Sequence, residues 1–318
     1  MKVAIVGRGF GASAMKPAFE MHDWEVEIVP SRDMAAVEAS CAGDADLISI
    51  HSPPFQHKDH VLAALAQGKP VLCDKPFGVN ATEAKAMRDA AKAAGLLHFL
   101  NFEMRCFASW DRARQMVADG VIGDLVHFSW TKSARLARRR DHGWLHDASL
   151  GGGWLGASGS HDIDALRFIS GDEVVAAGGL LRTEVKMRPD GEGGEVESTA
   201  DDAFSMWLEF SRGTTASIDS TFASSVALPG TFNLFGSEGA ISIADDAHLS
   251  VIRHKQEPEQ IDLSGDGGGG FMGALGGWIA RVTESMKTGT QIAPNFDDGV
   301  ATAEVMDMVR ASARRAGG

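Results

Sequence analysis

The sequence predicts an α/β protein, in which an N-terminal doubly wound Rossmann domain precedes a C-terminal α/β domain with a large, mostly antiparallel open sheet. Three observations predict this fold. Strand and helix patterns alternate over the first 100 residues, strand patterns follow one another after residue 120, and a glycine-rich turn comes directly after the first strand. A chain of 318 residues is too long for one ordinary core, and we predict domains of residues 1–120 and 121–318.

The predicted strands of the first domain are short, apolar and rich in β-branched residues. Helical patterns lie between them, and the best delimited helix is capped by Asn80, carries Glu83 three residues later and ends at Gly95. Strands that alternate with helices indicate a mostly parallel sheet. The predicted strands are Lys2–Val6, Glu25–Val29, Leu47–Ile50, Pro70–Cys73 and Leu96–Phe99.

Strand patterns in the second domain are longer and come in succession, which favours an antiparallel or mixed sheet. Arg188–Thr199 is polar and glycine-rich, as in an exposed hairpin or loop, and Gly265–Gly270 is typical of a flexible loop. Two helices are predicted near Ala274–Lys287 and Asp297–Arg315. The predicted strands are Leu125–Lys132, Ala203–Phe210, Thr214–Ser220, Thr231–Phe235 and Ala240–Ile243.

Composition argues against several classes of protein. The formal net charge of −13 repels phosphate backbones, so we expect no nucleic-acid partner. The three cysteines are far apart and form no CxxC pair, which excludes a disulfide framework and a cysteine-rich zinc site and favours a cytoplasmic protein. Arg8 interrupts the first apolar segment too early for a signal peptide. No segment approaches the roughly 18 apolar residues of a membrane helix, so we expect no membrane partner.

The glycine-rich turn predicts a dinucleotide site. Gly7, Gly9 and Ala12 fit the pattern G-x-G-x-x-[GA] between a strand and a helix. The first glycine permits the tight turn, the second lets a pyrophosphate approach the backbone, and Ala12 is small enough for the helix to pack against the strand. The helix then offers free N–H groups to the phosphates. The turn residues expected to bind the cofactor are Gly7, Arg8, Gly9, Phe10 and Gly11.

The end of the second strand bears on the choice between the two nicotinamide cofactors. An acidic residue at this point favours NAD, but here Ser31 and Arg32 occupy it. A hydroxyl group and a guanidinium suit a 2′-phosphate, so the sequence favours NADP, with NAD as the alternative. In a second interpretation Arg32 is merely exposed and Asp33 caps the next helix.

The loop after the third strand lies at a carboxyl end, where ligands bind in such sheets. We expect Ser52, Pro53 and His57 of this loop to contact the cofactor, although His57 could instead simply begin the next helix.

A more specific signal is Cys73-Asp74-Lys75-Pro76, which resembles the Glu-Lys-Pro signature of the glucose–fructose oxidoreductase / inositol dehydrogenase / MocA family. Several other segments resemble the same family in the same order, so the resemblance spans nearly the whole chain. They are the proline-rich loop ending at His57, the approach Ala63–Cys73, the segment Asn101–Phe107, the run Gly151–Asp164 and the final helix.

The resemblance implies roles for individual residues. It implies that Lys75 contacts both nicotinamide and substrate, that Asp74 belongs to the cofactor site, and that His161 of the G-x-H-x-x-D step is the acid/base. Lys75 could act as a base or, as an ammonium, orient and polarise the substrate oxygen. The chain departs from the family at Asp74, which replaces Glu, and at Ala157, where many members carry an Asp.

Three further residues are expected to bind the substrate: Arg105, Trp144 and Asp164. Asp164 lies one turn after His161 and could bind a substrate hydroxyl or form a salt bridge. Trp144 could line a pocket or pack in a core. His142 and His146 have a metal-like spacing but no third ligand in the sequence, so we predict no metal site. A short basic run, Arg138–Arg140, is either a solvated loop or an anchor for an anionic group.

Together these features predict an NAD(P)-dependent oxidoreductase that transfers a hydride between nicotinamide and a sugar, polyol or related cyclic hydroxy or keto compound. Two alternatives stay open: a nucleotide-binding sensor without turnover, and a lyase or glycosidase that oxidises its substrate transiently. We also expect a homodimer or homotetramer, because a strand-rich domain can use one sheet face for self-association.

Overall fold

The structure is a computed structural model that describes residues 1–135, 140–263 and 270–315. Arg138 and Arg139 of the predicted basic run, and residues 265–269 of the predicted flexible loop, lie outside the described residues, whereas Arg140 is described and exposed.

The first part of the chain alternates strands and helices, as predicted. Its strands are β1 (Lys2–Val6), β2 (Glu25–Val29), β3 (Leu47–Ile50), β4 (Val71–Cys73) and β5 (His98–Leu100). Its helices are α1 (Lys16–Glu20), α2 (Met34–Ala42), α3 (Pro54–Ala66), α4 (Ala81–Ala94) and α5 (Ala108–Ala118), and a π-helical turn, Gly11–Met15, precedes α1.

The remainder is rich in strands. The strands are β6 (Leu125–Ser133), β7 (Val174–Arg182), β8 (Met187–Pro189), β9 (Glu195–Glu197), β10 (Ala203–Phe210), β11 (Thr215–Thr221), β12 (Leu228–Gly236), β13 (Ala240–Ala244), β14 (His248–Ile252), β15 (Glu259–Ile261) and β16 (Arg314–Arg315). The helices are α6 (Ser160–Ser170), α7 (Gly270–Thr288) and α8 (Phe296–Ser312).

Contacts divide the chain into two units. The first comprises residues 1–103 and 271–304, and the second comprises residues 104–270 and 305–318. This division differs from the predicted domains 1–120 and 121–318, because α5 belongs to the second unit, whereas nearly all of α7 and the first half of α8 belong to the first. Trp278 of α7 is fully buried edge-to-face against Phe99, and the Trp24 indole donates to Thr283 Oγ1 at 2.8 Å.

The first unit contains a five-stranded parallel sheet in the order β2-β1-β3-β4-β5. Strands β1, β3 and β4 are buried along almost their whole length, which is typical of a parallel sheet covered on both faces. Capping at α4 is as predicted: Asn80 Oδ1 accepts from Glu83 N at 3.0 Å, and Gly95 ends the helix with φ +65°. The doubly wound Rossmann prediction is therefore confirmed.

The second unit contains a nine-stranded sheet in the order β15-β14-β13-β12-β6-β11-β10-β7-β16. All neighbouring strands are antiparallel except β6 with β11 and β7 with β16. The predicted hairpin or loop at Arg188–Thr199 is the small β8–β9 hairpin. Strand β7 escaped prediction because its centre is Ala176-Ala177-Gly178-Gly179, residue types that are depleted in strands.

One face of the nine-stranded sheet is covered and the other is open. In β10 buried Phe204, Met206 and Leu208 alternate with exposed Ser205 and Trp207. Among the described residues, no helix combines the length and the apolar character needed to cross a lipid bilayer. Cys41 and Cys73 are buried.

Candidate active site

A row of functional residues lies along one edge of the parallel sheet. The last residues of β1, β3, β4 and β5 are register partners, since Val6 pairs with Ile50, Ile50 with Cys73, and Cys73 with Leu100. The next residue along each strand therefore lies at the same carboxyl edge, where ligands bind in open α/β sheets. These residues are Gly7, His51, Asp74 and Asn101.

Gly7 starts the turn, and no other residue fits there. Its φ of +132° lies in a region that L side chains rarely adopt, and a Cβ would come within 2.5 Å of the His51 carbonyl oxygen. The Gly7 N–H donates to the Val29 carbonyl at 2.9 Å. The turn thus passes close over the end of β3, as predicted for the first glycine.

Gly9 has a different requirement. No protein atom lies within 4 Å of the position where its Cβ would be, and the residue is exposed. The space is therefore open, and it lies beside the start of the helical segment that begins at Gly11. Arg8 is exposed and Phe10 is half-buried, with its ring centroid 5.8 Å from that of His51.

The close approach of helix and strand is made by Gly11 and not by Ala12, which corrects the sequence prediction. A Cβ on Gly11 would lie 2.7 Å from Ile5 Cγ2, whereas Ala12 is only half-buried. The pattern G-x-G-x-x-[GA] placed the small residue one position too late, because the helical segment opens with a π-helical turn, Gly11–Met15.

The end of β2 carries Ser31 and Arg32 as predicted. Ser31 is half-buried and its carbonyl accepts from Gln56 Nε2 at 3.1 Å, while Arg32 is exposed. Asp33 caps α2 by accepting from Ala36 N at 3.1 Å. The exposed Arg32 and the capping Asp33 are what the second interpretation of this segment predicts.

The loop after β3 is held by two histidines. The Ser52 hydroxyl bonds to His60 Nδ1 at 3.0 Å, and Pro53 precedes α3 directly. His57 is fully buried, with Nε2 2.7 Å from the Ser52 carbonyl and Nδ1 3.3 Å from the Phe77 carbonyl. Burial lowers the pKa of His57. His57 therefore fastens the loop, which differs from the direct cofactor contact that the sequence suggested.

Asp74 is the centre of a buried hydrogen-bond network. Its Oδ2 lies 3.1 Å from His51 Nδ1, and its Oδ1 accepts from the Lys75 N–H at 2.8 Å and from Asn101 Nδ2 at 3.3 Å. His51 Nε2 in turn lies 2.8 Å from the Ser49 hydroxyl. Burial acts to raise the pKa of Asp74, but the hydrogen bond with His51 and the interactions with Lys75 outweigh it and hold that pKa below its usual range.

Lys75 follows directly on this network and is half-buried. The sequence pointed to Asp74 and Lys75 but missed Ser49, His51 and Asn101. A signal existed for His51, which comes directly after a predicted strand, and a weaker one for Asn101, which comes two residues after the predicted strand and directly after β5 in the structure. Ser49 lies inside β3 and nothing in the sequence distinguishes it.

The second unit places His161 at the start of α6, where it is buried. Asp164 and Arg105, both predicted to bind substrate, instead bind each other: Arg105 Nε lies 2.8 Å from Asp164 Oδ2 and Nη2 lies 2.5 Å from Oδ1. Both side chains are buried. The salt-bridge alternative for Asp164 is therefore correct, and the pair anchors α6 to the segment before α5.

A second ion pair anchors the same helix. Asp162 is fully buried and pairs with Lys132 of β6, whose ammonium also lies 4.0 Å from the centre of the Trp130 ring. Removing one partner of such a pair leaves an uncompensated buried charge, which strongly disfavours any rotation that would break it. The backbone of His161 is thus fixed by ion pairs at the positions one and three residues later.

The tryptophans and histidines of the preceding segment have distinct environments. Trp144 is half-buried in a short 3-10 turn, Trp144–His146, whereas Trp154 stacks on Phe222 and donates to Ser220. The rings of His142 and His146 lie 5.9 Å apart. Within residues 1–135, 140–263 and 270–315, no group of three or more metal-ligating side chains includes them.

Comparison with known proteins gives matches over most of the chain. Residues 1–102 match the model described as "Oxidoreductase family, NAD-binding Rossmann fold", and residues 110–242 match "GFO/IDH/MocA C-terminal domain". The boundary between the two matches lies near Glu103, the residue at which the first segment of the first unit ends.

Among curated relatives, levoglucosan dehydrogenase of Pseudarthrobacter phenanthrenivorans is 26% identical over 76% of this chain and 73% of its own. Trans-1,2-dihydrobenzene-1,2-diol dehydrogenase of Oryctolagus cuniculus is 31% identical over 59% of this chain and 54% of its own. The alignments with the curated relatives span from 42% to 73% of those proteins. A solved levoglucosan dehydrogenase in complex with NADH has the same fold, with a TM-score of 0.87 and 21% identity over 98% of this chain and 96% of its own.

Proposed function

Because the chain belongs to the GFO/IDH/MocA oxidoreductase family, we propose that it is an NAD(P)-dependent dehydrogenase or reductase acting on a sugar, a polyol or a related cyclic hydroxy or keto compound. One observation carries the proposal: the glycine turn, the Asp74 network and Lys75 share one carboxyl edge of a Rossmann sheet. The two relatives described above are named for a sugar derivative, levoglucosan, and for a cyclic diol, which supports this substrate class.

The residues of the glycine turn fit a dinucleotide. Gly7 closes the turn and Gly9 leaves open space, so the backbone can accept a pyrophosphate without moving any side chain of the protein. When bound, the nicotinamide supplies the hydride chemistry and the protein supplies orientation and electrostatics.

Oxidation of a secondary alcohol also requires removal of the hydroxyl proton. We assign this proton to His161, since an imidazole can exchange a proton near neutral pH. Lys75, whose backbone is held by Asp74, orients and polarises the substrate oxygen. Trp144 is the remaining candidate for lining the substrate pocket, because Arg105 and Asp164 are occupied by each other.

The test of this function is a substrate screen with both NAD and NADP. We expect a change in nicotinamide absorbance with at least one sugar or polyol and none without it. No change with any polyol, together with measurable cofactor affinity, would instead support the sensor alternative that Ala157 keeps open. Bond cleavage without added cofactor, by protein that retains NAD(P) through purification, would support a lyase or glycosidase.

We propose that the preferred cofactor is NADP, because the exposed Arg32 guanidinium follows the β2 end, where a 2′-phosphate is recognised. For Arg32→Ala we expect a KM for NADP about 10-fold higher, since one charge-assisted contact is lost, and an unchanged KM for NAD. Steady-state kinetics with both cofactors measure this. A wild-type enzyme that already uses NAD better would overturn the assignment.

We further propose a homodimer or homotetramer that buries the open face of the nine-stranded sheet. Trp207 and Leu180 on neighbouring strands are 51% and 43% exposed, and aromatic residues are enriched in interfaces. Trp207→Glu is expected to give a smaller assembly in light scattering after gel filtration. Met21→Glu, which changes an equally exposed apolar residue of the first unit, is the control and is expected to leave the mass unchanged. A Trp207→Glu variant of wild-type mass would refute the proposed interface.

A further inference from the structure

We propose that His51 is a positioning residue for Lys75: it holds the Asp74 carboxylate in the one orientation that fixes the Lys75 backbone. The inference rests on the proposed function, in which Lys75 contacts the substrate.

His51 is fully satisfied where it stands. Its side chain is completely buried, with Nε2 2.8 Å from the Ser49 hydroxyl and Nδ1 3.1 Å from Asp74 Oδ2. A neutral ring that accepts from Ser49 at Nε2 carries its proton on Nδ1 and donates it to Asp74. Ser49 thus sets the tautomer that Asp74 requires.

The two oxygens of Asp74 have separate tasks. Oδ2 is held by His51, whereas Oδ1 accepts from the Lys75 N–H at 2.8 Å and from Asn101 Nδ2 at 3.3 Å. If Oδ2 loses its donor, the buried carboxylate is under-bonded and turns toward another partner. The Lys75 N–H then loses its acceptor, and the Lys75 backbone is released.

The strand register explains why His51 can reach Asp74. The two residues follow neighbouring strands directly, because Ile50 and Cys73 are register partners. The ring is also enclosed on its other side, since a Cβ on Gly11 would lie 3.4 Å from His51 Cβ and Phe10 packs against the ring.

The first experiment compares two substitutions of similar size. His51→Asn keeps an amide N–H close to the position of Nδ1, whereas His51→Leu fills space without a donor. We expect kcat with the substrate from the screen to stay within about 3-fold for His51→Asn and to fall about 10- to 100-fold for His51→Leu, because small displacements of a catalytic group have effects of this size. The KM for cofactor is expected to change little in both. An equal fall of kcat in both variants would overturn the proposal.

The second experiment is a double-mutant cycle with Asp74→Glu. Each single substitution, His51→Ala and Asp74→Glu, is expected to lower kcat, the first by removing the donor and the second by crowding the ring. The double variant is expected to recover to within about 5-fold of wild type, since the longer carboxylate fills the space of the imidazole. If the reductions of kcat in the two single variants simply combine in the double variant, His51 contributes only general stability.

The control is His98→Leu. His98 is also buried in the first unit, where it stacks on Phe296, but it lies at the other end of its strand. It is expected to lower the thermal stability without changing kcat.

A structural measurement separates failure of this inference from failure of the proposed function. If no substrate is found, crystal structures of His51→Leu and His51→Asn still decide the inference. The contact of 2.8 Å between Asp74 Oδ1 and Lys75 N is expected to be lost in the first and kept in the second. An unchanged contact in His51→Leu would contradict the inference whatever the activity.

Discussion

Lys75→Ala is expected to lower kcat by about 10²- to 10³-fold, the range typical of losing one group that stabilises the charge developing on a substrate oxygen. The strand-end row consists of Gly7, His51, Asp74, Lys75 and Asn101. The physical reason is that Lys75 is the only lysine or arginine in this row. Cofactor affinity is expected to stay within about 3-fold, because the glycine turn that holds the pyrophosphate is untouched. Steady-state kinetics and a fluorescence titration with NADPH measure the two quantities.

The matched control for Lys75 is Lys58→Ala, which removes a half-buried lysine of α3 in the same unit. We expect wild-type kcat for this control. Unchanged turnover in Lys75→Ala would remove Lys75 from the proposed chemistry, and an equal loss of cofactor affinity would show that it binds nucleotide instead.

Replacing the two glycines of the turn by alanine is expected to affect different properties of the protein: stability at Gly7 and cofactor affinity at Gly9. Gly7→Ala combines a φ of +132° with a contact of 2.5 Å to a backbone oxygen, so we expect a loss of about 3 kcal/mol of stability and no measurable cofactor binding. Gly9→Ala meets no protein atom within 4 Å. It is expected to keep wild-type stability but to raise the Kd of the cofactor about 10-fold or more, because its methyl group occupies ligand space.

Thermal denaturation and cofactor titration of both variants separate these effects. A Gly9→Ala protein with wild-type affinity would mean that the pyrophosphate does not pass over this turn. A Gly7→Ala protein of wild-type stability would contradict the backbone conformation described for the turn.

The glycine turn and the strand–helix alternation could be predicted because each depends on local sequence. Strand ends and helix caps are local features, and Asn80 and Gly95 were identified from them, whereas Lys75 was identified from the family resemblance. The register of a parallel sheet then places strand-end residues in one row, so part of the Asp74 network could have been found by applying that rule to His51 and Asn101.

The remaining features depend on contacts between residues far apart in the chain. The Arg105–Asp164 pair joins positions 59 residues apart, and α7, which follows strands β6 to β15 in the chain, packs in the first unit. Neither residue type nor spacing distinguishes a buried ion pair from two substrate ligands. The role of His57 stayed open in the sequence for a related reason, since a histidine beside a ligand loop has the same sequence signal whether its ring faces the ligand or fastens the loop.

The central claim is that the turn from Gly7 to Gly11 binds a nicotinamide dinucleotide. The most direct measurement is isothermal titration calorimetry of the purified protein with NADPH and with NADH, without substrate. The account predicts a one-to-one complex with at least one of them and a Kd between about 1 μM and 1 mM, the range usual for enzyme ligands. If neither cofactor binds with a Kd of about 1 mM or lower, and thermal denaturation verifies that the protein is folded, the result would contradict the claim.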